Sequence, residues 1–323
     1  MVILHGIPRR PLNLRAPVAA IGIFDGVHLG HQVILRKAVA RAKAYQGAPV
    51  AVTFDPHPCT VLHPQVVPPL ILSLEQRLRW FAQCGIQAAV VIPFTRSFSR
   101  WSPERFVKGF LVDRLQVQEV VVGHDFCFGL NRSGTVETLR QLAARYRFNV
   151  RVVQPVIRNG ERVSSRRIRE LIRQGDLVRV QRMLGRPAGV VGKVIHGAGR
   201  GGKLGFPTAN LKLEAGVLPP VGVYAVRAAV GGRSHAGMAN VGFRPTFRGQ
   251  TPQEHLSTRE PLLEVHLFGQ RRSLHGKRLE VEFYKRLRTE RRFRSPQALV
   301  RQLACDADRA NRVFALQARR RMV

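Results

Sequence analysis

Acidic residues are scarce: 20 Asp and Glu face 53 Lys and Arg over 323 residues, a formal net charge of +33. Such a field attracts polyanions, nucleic acid first among them. Lysine is scarce too, with eight in the chain, so the excess is nearly all arginine, and it is scattered without a basic tail. That spread predicts non-specific, salt-sensitive adhesion rather than specific nucleic-acid recognition. Only four cysteines occur, Cys59, Cys84, Cys127 and Cys305, with no C-x-x-C pair. Reduced thiols in a cytoplasmic protein are the expectation. No stretch approaches the roughly 20 apolar residues of a membrane span, and residues 1–12 lack the apolar core of a secretory signal. A membrane partner is therefore not expected. Internal repeats and low-complexity segments are also missing.

What is present reads as two globular domains. The chain is longer than one hydrophobic core usually covers. In the first half, apolar runs at 18–23, 49–54, 88–92, 119–123 and 149–153 alternate with helical patterns. These begin at His31, at the capping box Ser73-Leu74-Glu75-Gln76, at Ser102-Pro103-Glu104 and at Val136. Repeated strand, helix, strand predicts an α/β domain, a parallel sheet with helices on both faces. Two short helices, 164–173 and 177–184, and a linker at 185–188 follow. Then short strands separated by glycine and proline (190–195, 223–229, 262–268, 279–283) predict a small all-β barrel or sandwich. A terminal amphipathic helix spans 296–318, with Leu299, Leu303 and Ala307 on one side.

The first chemical signal is Gly22-Ile23-Phe24-Asp25-Gly26-Val27-His28-Leu29-Gly30-His31, which follows a strand and opens a helix. Glycines let backbone approach a phosphate, and a helix N-terminus offers unpaired N–H groups. His28 and His31, flanking Gly30, would donate to the ATP α- and β-phosphates as charge grows during transfer. The segment resembles the nucleotidyltransferases that move AMP or CMP. Thr53-Phe54-Asp55-Pro56-His57-Pro58, Gly123-His124-Asp125-Phe126-Cys127-Phe128-Gly129 and Ser164-Ser165-Arg166-Arg167-Ile168-Arg169 narrow the likeness to the flavin adenylyltransferase module of prokaryotic bifunctional FAD synthetases. That resemblance implies a Rossmann-like fold. It implies ATP and phosphate contacts from Gly22, Phe24, Asp25, Gly26, Gly30, Ser164, Ser165 and Arg169, and flavin contacts from Asp125, Phe126 and Phe128. Plainer readings stand beside it: a rigid Pro-His-Pro turn, core phenylalanines, a serine N-cap. One departure is Arg166, where the family carries threonine, which removes a hydroxyl and adds a guanidinium.

The second signal is Gly197-Ala198-Gly199-Arg200-Gly201-Gly202-Lys203-Leu204-Gly205-Phe206-Pro207-Thr208-Ala209-Asn210. It is not a G-x-x-x-x-G-K-[ST] loop. Thr208 and Asn210, two apart, would face one side of an extended segment, and two neutral oxygens beside phosphates suit Mg2+. This is similar to the riboflavin kinase signature. Gly222-Val223-Tyr224, Ala239-Asn240-Val241-Gly242-Phe243-Arg244-Pro245-Thr246-Phe247 and Leu263-Glu264-Val265-His266 extend the likeness. By that resemblance Glu264 is the base that takes the riboflavin 5′-hydroxyl proton, and burial in an apolar strand would raise its pKa usefully. The plain alternative is an exposed strand glutamate. Gly197, Gly199, Lys203, Gly205 and Pro207 would hold phosphates, and Thr208 and Asn210 the metal. In the tail, Arg288, Glu290, Phe293, Ser295, Gln302 and Asp306 match the family positions, which implies that Arg288 reaches the flavin or its phosphate. The loop 269–276 departs: it is basic, with His275 where relatives have tyrosine.

The resemblance implies residues 1–185 as an FMN adenylyltransferase domain and 186–323 as a riboflavin kinase domain, with ATP as co-substrate, Mg2+, and FMN and FAD as products. Monomer and homo-oligomer stay open. Two other readings stand: a riboflavin kinase whose first half is weakened by Arg166, and an arginine-rich nucleic-acid binder on an inherited fold.

Overall fold

A computed structural model describes residues 1–196, 205–243, 261–270 and 273–321. The expected phosphate ligands Gly197, Gly199 and Lys203, the segment 244–247, and Arg271 and Arg272 lie outside the described residues. The chain divides into two compact units, Met1–Ser165 and Arg166–Val323.

The first unit is built on six strands: β1 (Val2–His5), β2 (Val18–Ile21), β3 (Pro49–Asp55), β4 (Ala88–Pro93), β5 (Glu119–Gly123) and β6 (Asn149–Val153). They lie in the order β1-β4-β3-β2-β5-β6, every neighbouring pair parallel. Their continuous apolar runs fit burial on both faces, which a parallel sheet requires. Alternate residues feed two cores. Ile21, Val52, Val90 and Val122 pack with Phe106, Phe110 and Leu139 on one side, while Ala20, Ala51, Ala89 and Val121 pack with Leu35, Ala38 and Phe81 on the other.

Helices α1 (Leu29–Ala44) and α3 (Leu74–Gln83) flank one face, and α6 (Val136–Tyr146) the other. Shorter helices α2 (Pro58–Leu62), α4 (Arg96–Ser99) and α5 (Pro103–Phe106) connect them. The capping box at Ser73 forms in both directions: Gln76 N donates to Ser73 Oγ at 3.2 Å and Ser73 N to Gln76 Oε1 at 3.0 Å. From β2 the chain goes to β3 on one side; from β5 it goes to β6 on the other. The strand order therefore reverses between β2 and β5, and in open α/β sheets ligands bind outside the carboxyl ends at such a point.

A small hairpin, β7 (Ile157–Arg158) with β8 (Glu161–Arg162), precedes α7 (Ser165–Gln174) and α8 (Leu177–Leu184). Gly185 closes α8 at φ 75°, a left-handed cap that glycine takes without a Cβ penalty. Strand β9 (Ala188–Ile195) already starts at Ala188, so the connection is shorter than the expected linker.

Then follow β10 (Ala209–Gly216), β11 (Gly222–Val230), β12 (Arg233–Phe243), β13 (Pro261–Leu267) and β14 (Arg278–Arg288). They close as β10-β13-β12-β11-β14-β9, antiparallel throughout. The barrel is thus realised and the sandwich is not. Leu263, Val265 and Leu267 are buried, while Glu264 and His266 between them are half-buried; the odd residues fill the barrel and the even ones face outward.

Helix α9 (Pro296–Arg321) packs on the barrel through Ala310 and Phe314. Phe314 meets Tyr284 edge-on at 5.4 Å, with Arg227 over its ring at 4.9 Å. One turn before Ala310, Asp306, fully buried, accepts from Arg288 Nε at 2.8 Å and from Gln302 Nε2 at 2.9 Å. Asp306→Ala leaves the Arg288 guanidinium buried without its counter-charge. It is expected to cost about 3–5 kcal/mol, read as a lower denaturant midpoint for the second unit; a loss under ~1 kcal/mol would mean that the pair does not hold the helix down.

Candidate active sites

In the first unit the glycine-rich turn sits where strand order reverses. It follows β2, and Gly123–Phe128 follows the adjacent β5. Its backbone is unusual: Phe24, Gly26 and Val27 have φ of 54°, 87° and 35°. Positive φ is strained for a β-branched valine. Full burial of the Phe24 and Val27 side chains compensates.

Three polar groups fix the turn. Arg77, 1% exposed, donates through one terminal nitrogen to Ile23 O at 3.0 Å, Phe54 O at 3.1 Å and Thr53 Oγ1 at 3.2 Å, and through the other to Asp55 Oδ1 at 2.9 Å. Thr53 Oγ1 also donates to Ile23 O, at 3.0 Å. Asp25, 2% exposed, accepts from the amides of Ile71 at 2.9 Å and Leu72 at 3.3 Å. Its carboxylate thus serves the turn's anchorage. Burial lowers the Arg77 pKa from its ordinary value, partly offset by Asp55 and Asp25.

His28 caps α1: its Nδ1 accepts from His31 N at 3.3 Å. An accepting Nδ1 leaves the proton of the neutral ring on Nε2, a donor. The His28 and His31 rings stack with centroids 3.6 Å apart, and Phe24 meets His31 edge-on at 5.3 Å. Gly30 permits this, since a Cβ there would lie 3.2 Å from the His28 ring. Ser165 Oγ donates to Asp25 O at 2.7 Å, so Ser164-Ser165 is brought to the same turn. Arg169 lies buried on α7, in the second unit. Arg166 is turned outward, 91% exposed, with Nε 3.1 Å from Glu170 Oε1; that hydrogen bond lowers the Glu170 pKa.

On the flavin side, Phe126 stacks on Phe128 at 5.3 Å, and rings continue from Phe128 through Phe106 and Phe98 to Phe54 at separations of 5.7, 6.2 and 5.9 Å. Phe128 belongs to the core, while Phe126 keeps exposed surface. Asp125 pairs with Arg162 at 2.6 Å. His57 caps α2, accepting from Cys59 N at 3.1 Å.

In the second unit the register gathers the site. Asn210 on β10 lies directly opposite Glu264 on β13, and Glu264 opposite Asn240 on β12. Residues in such a row share a face with Cβ atoms roughly 4.5–5.5 Å apart. His266, the next outward residue on β13, holds Pro207 O through Nδ1 at 2.8 Å and packs on Phe206 at 5.4 Å. This pins the segment from Gly205 through Thr208 beside Glu264. Thr208 is exposed and Asn210 buried. Arg288 pairs with Asp306, with 8% of its side chain exposed.

Comparison with known proteins follows the same division. A family model described as FAD synthetase matches residues 11–167, and one described as riboflavin kinase matches residues 184–314. The bifunctional riboflavin kinase/FMN adenylyltransferase of Bacillus subtilis is 36% identical over 92% of this chain and 92% of its own. The chain belongs to the bifunctional riboflavin kinase/FMN adenylyltransferase family. The Escherichia coli K12 member of that family is 33% identical over 97% of each chain. A crystal structure described as a macrolide-efflux protein from Streptococcus pneumoniae superposes with a TM-score of 0.80 at 28% identity, covering 95% of this chain and 97% of that one. Among the described residues no helix is long and apolar enough to cross a membrane.

Arg77 is the residue that sequence reasoning missed in this family member. A signal exists: Leu74, Leu78 and Phe81 define the inward face of α3, and Arg77 falls on it. Arg77→Met should destabilise the first unit by roughly 3–5 kcal/mol, since three carbonyl or hydroxyl oxygens and Asp55 lose their donor. Chemical denaturation followed in the isolated variant and in the parent protein checks this; matching midpoints would remove Arg77 from the turn's support.

Proposed function

We propose that this chain makes FAD from riboflavin in two ATP-dependent steps, phosphorylation to FMN at the barrel and adenylylation of FMN at the end of the parallel sheet. The carrying observation is that the two family models match successive halves, each of which holds its own polar cluster. We assign residues 1–185 to adenylyl transfer and 186–323 to phosphorylation, and place both reactions in the cytoplasm.

At the barrel, Glu264 takes the proton of the riboflavin 5′-hydroxyl as that oxygen attacks the γ-phosphorus of ATP, and ADP leaves. His266 fixes the Pro207 carbonyl, so Gly205, Pro207 and Thr208 line the approach to Glu264; Gly197, Gly199 and Lys203 would complete the phosphate cover. The donor set suits Mg2+: Thr208 Oγ1 and Asn210 Oδ1 are hard oxygen ligands next to a carboxylate. Bound there, it would neutralise charge on the transferred phosphate. Among the described residues no group of three His, Cys, Asp or Glu side chains is placed to hold a metal ion.

At the sheet, an FMN phosphate oxygen attacks the α-phosphorus of ATP and pyrophosphate departs. The His28 Nε2–H donor, with His31 stacked on it, faces charge that grows in this step. The turn from Gly22 through Phe24, Asp25 and Gly26 to Gly30 presents the α1 N-terminus. Ser164, Ser165 and Arg169 are assigned to the triphosphate, and Asp125, Phe126 and Phe128 to the flavin, with Phe126 offering the ring face and Phe128 backing it. Arg288 is assigned to the flavin or its phosphate, and its pairing with Asp306 also seats α9. A second reading, a kinase with a weakened first half, has one observation in its favour: Arg166 pairs with Glu170 and so does not stand in for the missing hydroxyl.

Product analysis after incubation with riboflavin, ATP and Mg2+ tests the proposal; FMN without FAD would leave the second reading. Glu264→Gln is expected to abolish FMN formation while FMN-to-FAD conversion persists. His31→Ala is expected to do the opposite, cutting FAD formation at least about 100-fold, the scale of one lost charge-stabilising donor. Unaltered FAD synthesis in that variant would take His31 out of the site.

A further inference from the structure

Asn240 is the member of the Asn210–Glu264–Asn240 row that the mechanism leaves without a task. Its Oδ1 is buried and has no hydrogen-bond partner among the described residues. A buried acceptor left unmade costs free energy, so such groups are nearly always satisfied. The other end of the amide has a neighbour. A Cβ on Gly242 would lie 3.5 Å from Asn240 Nδ2 and 3.2 Å from Glu290 Oε1. The amide nitrogen and a carboxylate oxygen thus converge on the space that the missing side chain leaves. A carboxylate accepts, so the NH2 end belongs on that side and Oδ1 is turned away from it. Asn240 stands directly opposite Glu264 in the β12–β13 register, on the same outward face.

We infer that Asn240 is a specificity-determining residue of the kinase site, its Oδ1 accepting a hydrogen bond from a hydroxyl of the substrate's polyol chain next to the one being phosphorylated. The inference rests on the reading of Glu264 as the base. A substrate whose terminal hydroxyl reaches Glu264 carries its adjoining hydroxyls past the neighbouring strand, and each is a donor. A site that satisfies a buried acceptor only with such a hydroxyl discriminates against an analogue lacking it more strongly than apolar contact does.

The test compares riboflavin with a flavin bearing a 5-hydroxypentyl chain, which keeps the reacting hydroxyl and lacks the others. In the full-length parent protein, kcat/KM for phosphorylation should favour riboflavin. Asn240→Ala should lower kcat/KM for riboflavin about tenfold, the scale of one hydrogen bond to a buried acceptor, and leave the hydroxypentyl flavin and the KM for ATP unchanged. Asn240→Asp, which keeps an acceptor, should retain the preference. Retained phosphorylation of the hydroxypentyl flavin in the same preparations reports that the barrel is folded. Equal losses for both flavins, no loss for either, or a rise confined to the KM for ATP would each overturn the inference. If Glu264→Gln still phosphorylates both flavins, the base assignment fails instead, and the two failures are told apart by which variant departs from expectation.

Discussion

A buried guanidinium holds the turn after β2 together. That turn runs through positive φ at Phe24 and Val27, conformations that cost of order 1–3 kcal/mol each. They persist because the surroundings leave no alternative. Arg77 and Thr53 grip the Ile23 carbonyl on one side of the turn, and Asp25 grips two amides on the other. Taking Arg77 out of water is itself costly, which its lowered pKa records. Four oxygen partners make the burial tolerable. The histidines then inherit their geometry, because His28 caps a helix whose start is already fixed.

The barrel solves the same problem by register. Inward residues fill a closed core, so the alternate residues of β13 have to face outward, and pairing on both sides sets Asn210 and Asn240 against Glu264. The site needs a strand that cannot slip, because a one-residue shift would send Glu264 into the core. Helix α9 occupies other outward surface through Phe314 and the Arg288–Asp306 pair.

Much of this was legible in the sequence because local rules and global fold agree. Period-two and period-3.6 patterns, the Ser73 capping box and the glycine-rich turn after β2 each state their structure within a dozen residues. What was not legible depends on distant partners. Strand β1 is mostly exposed and short, and β10 and β12 carry small and polar residues that dilute the alternation. Asp25 reads as a phosphate-site residue within its motif, yet its carboxylate faces amides 46 and 47 residues away. Arg77 looks like a solvated helix residue until α3 is packed, and the idle Asn240 oxygen emerges only once three strands are aligned.

Ring closure of the barrel has a mechanical corollary. Every one of its six strands is flanked on both sides, so none can be peeled off without severing two ladders together. Tension applied along the polypeptide would meet one abrupt yield at this half rather than a gradual unzipping. The open parallel sheet, whose two rims each lack a neighbour, has no such protection and would fray first from β1.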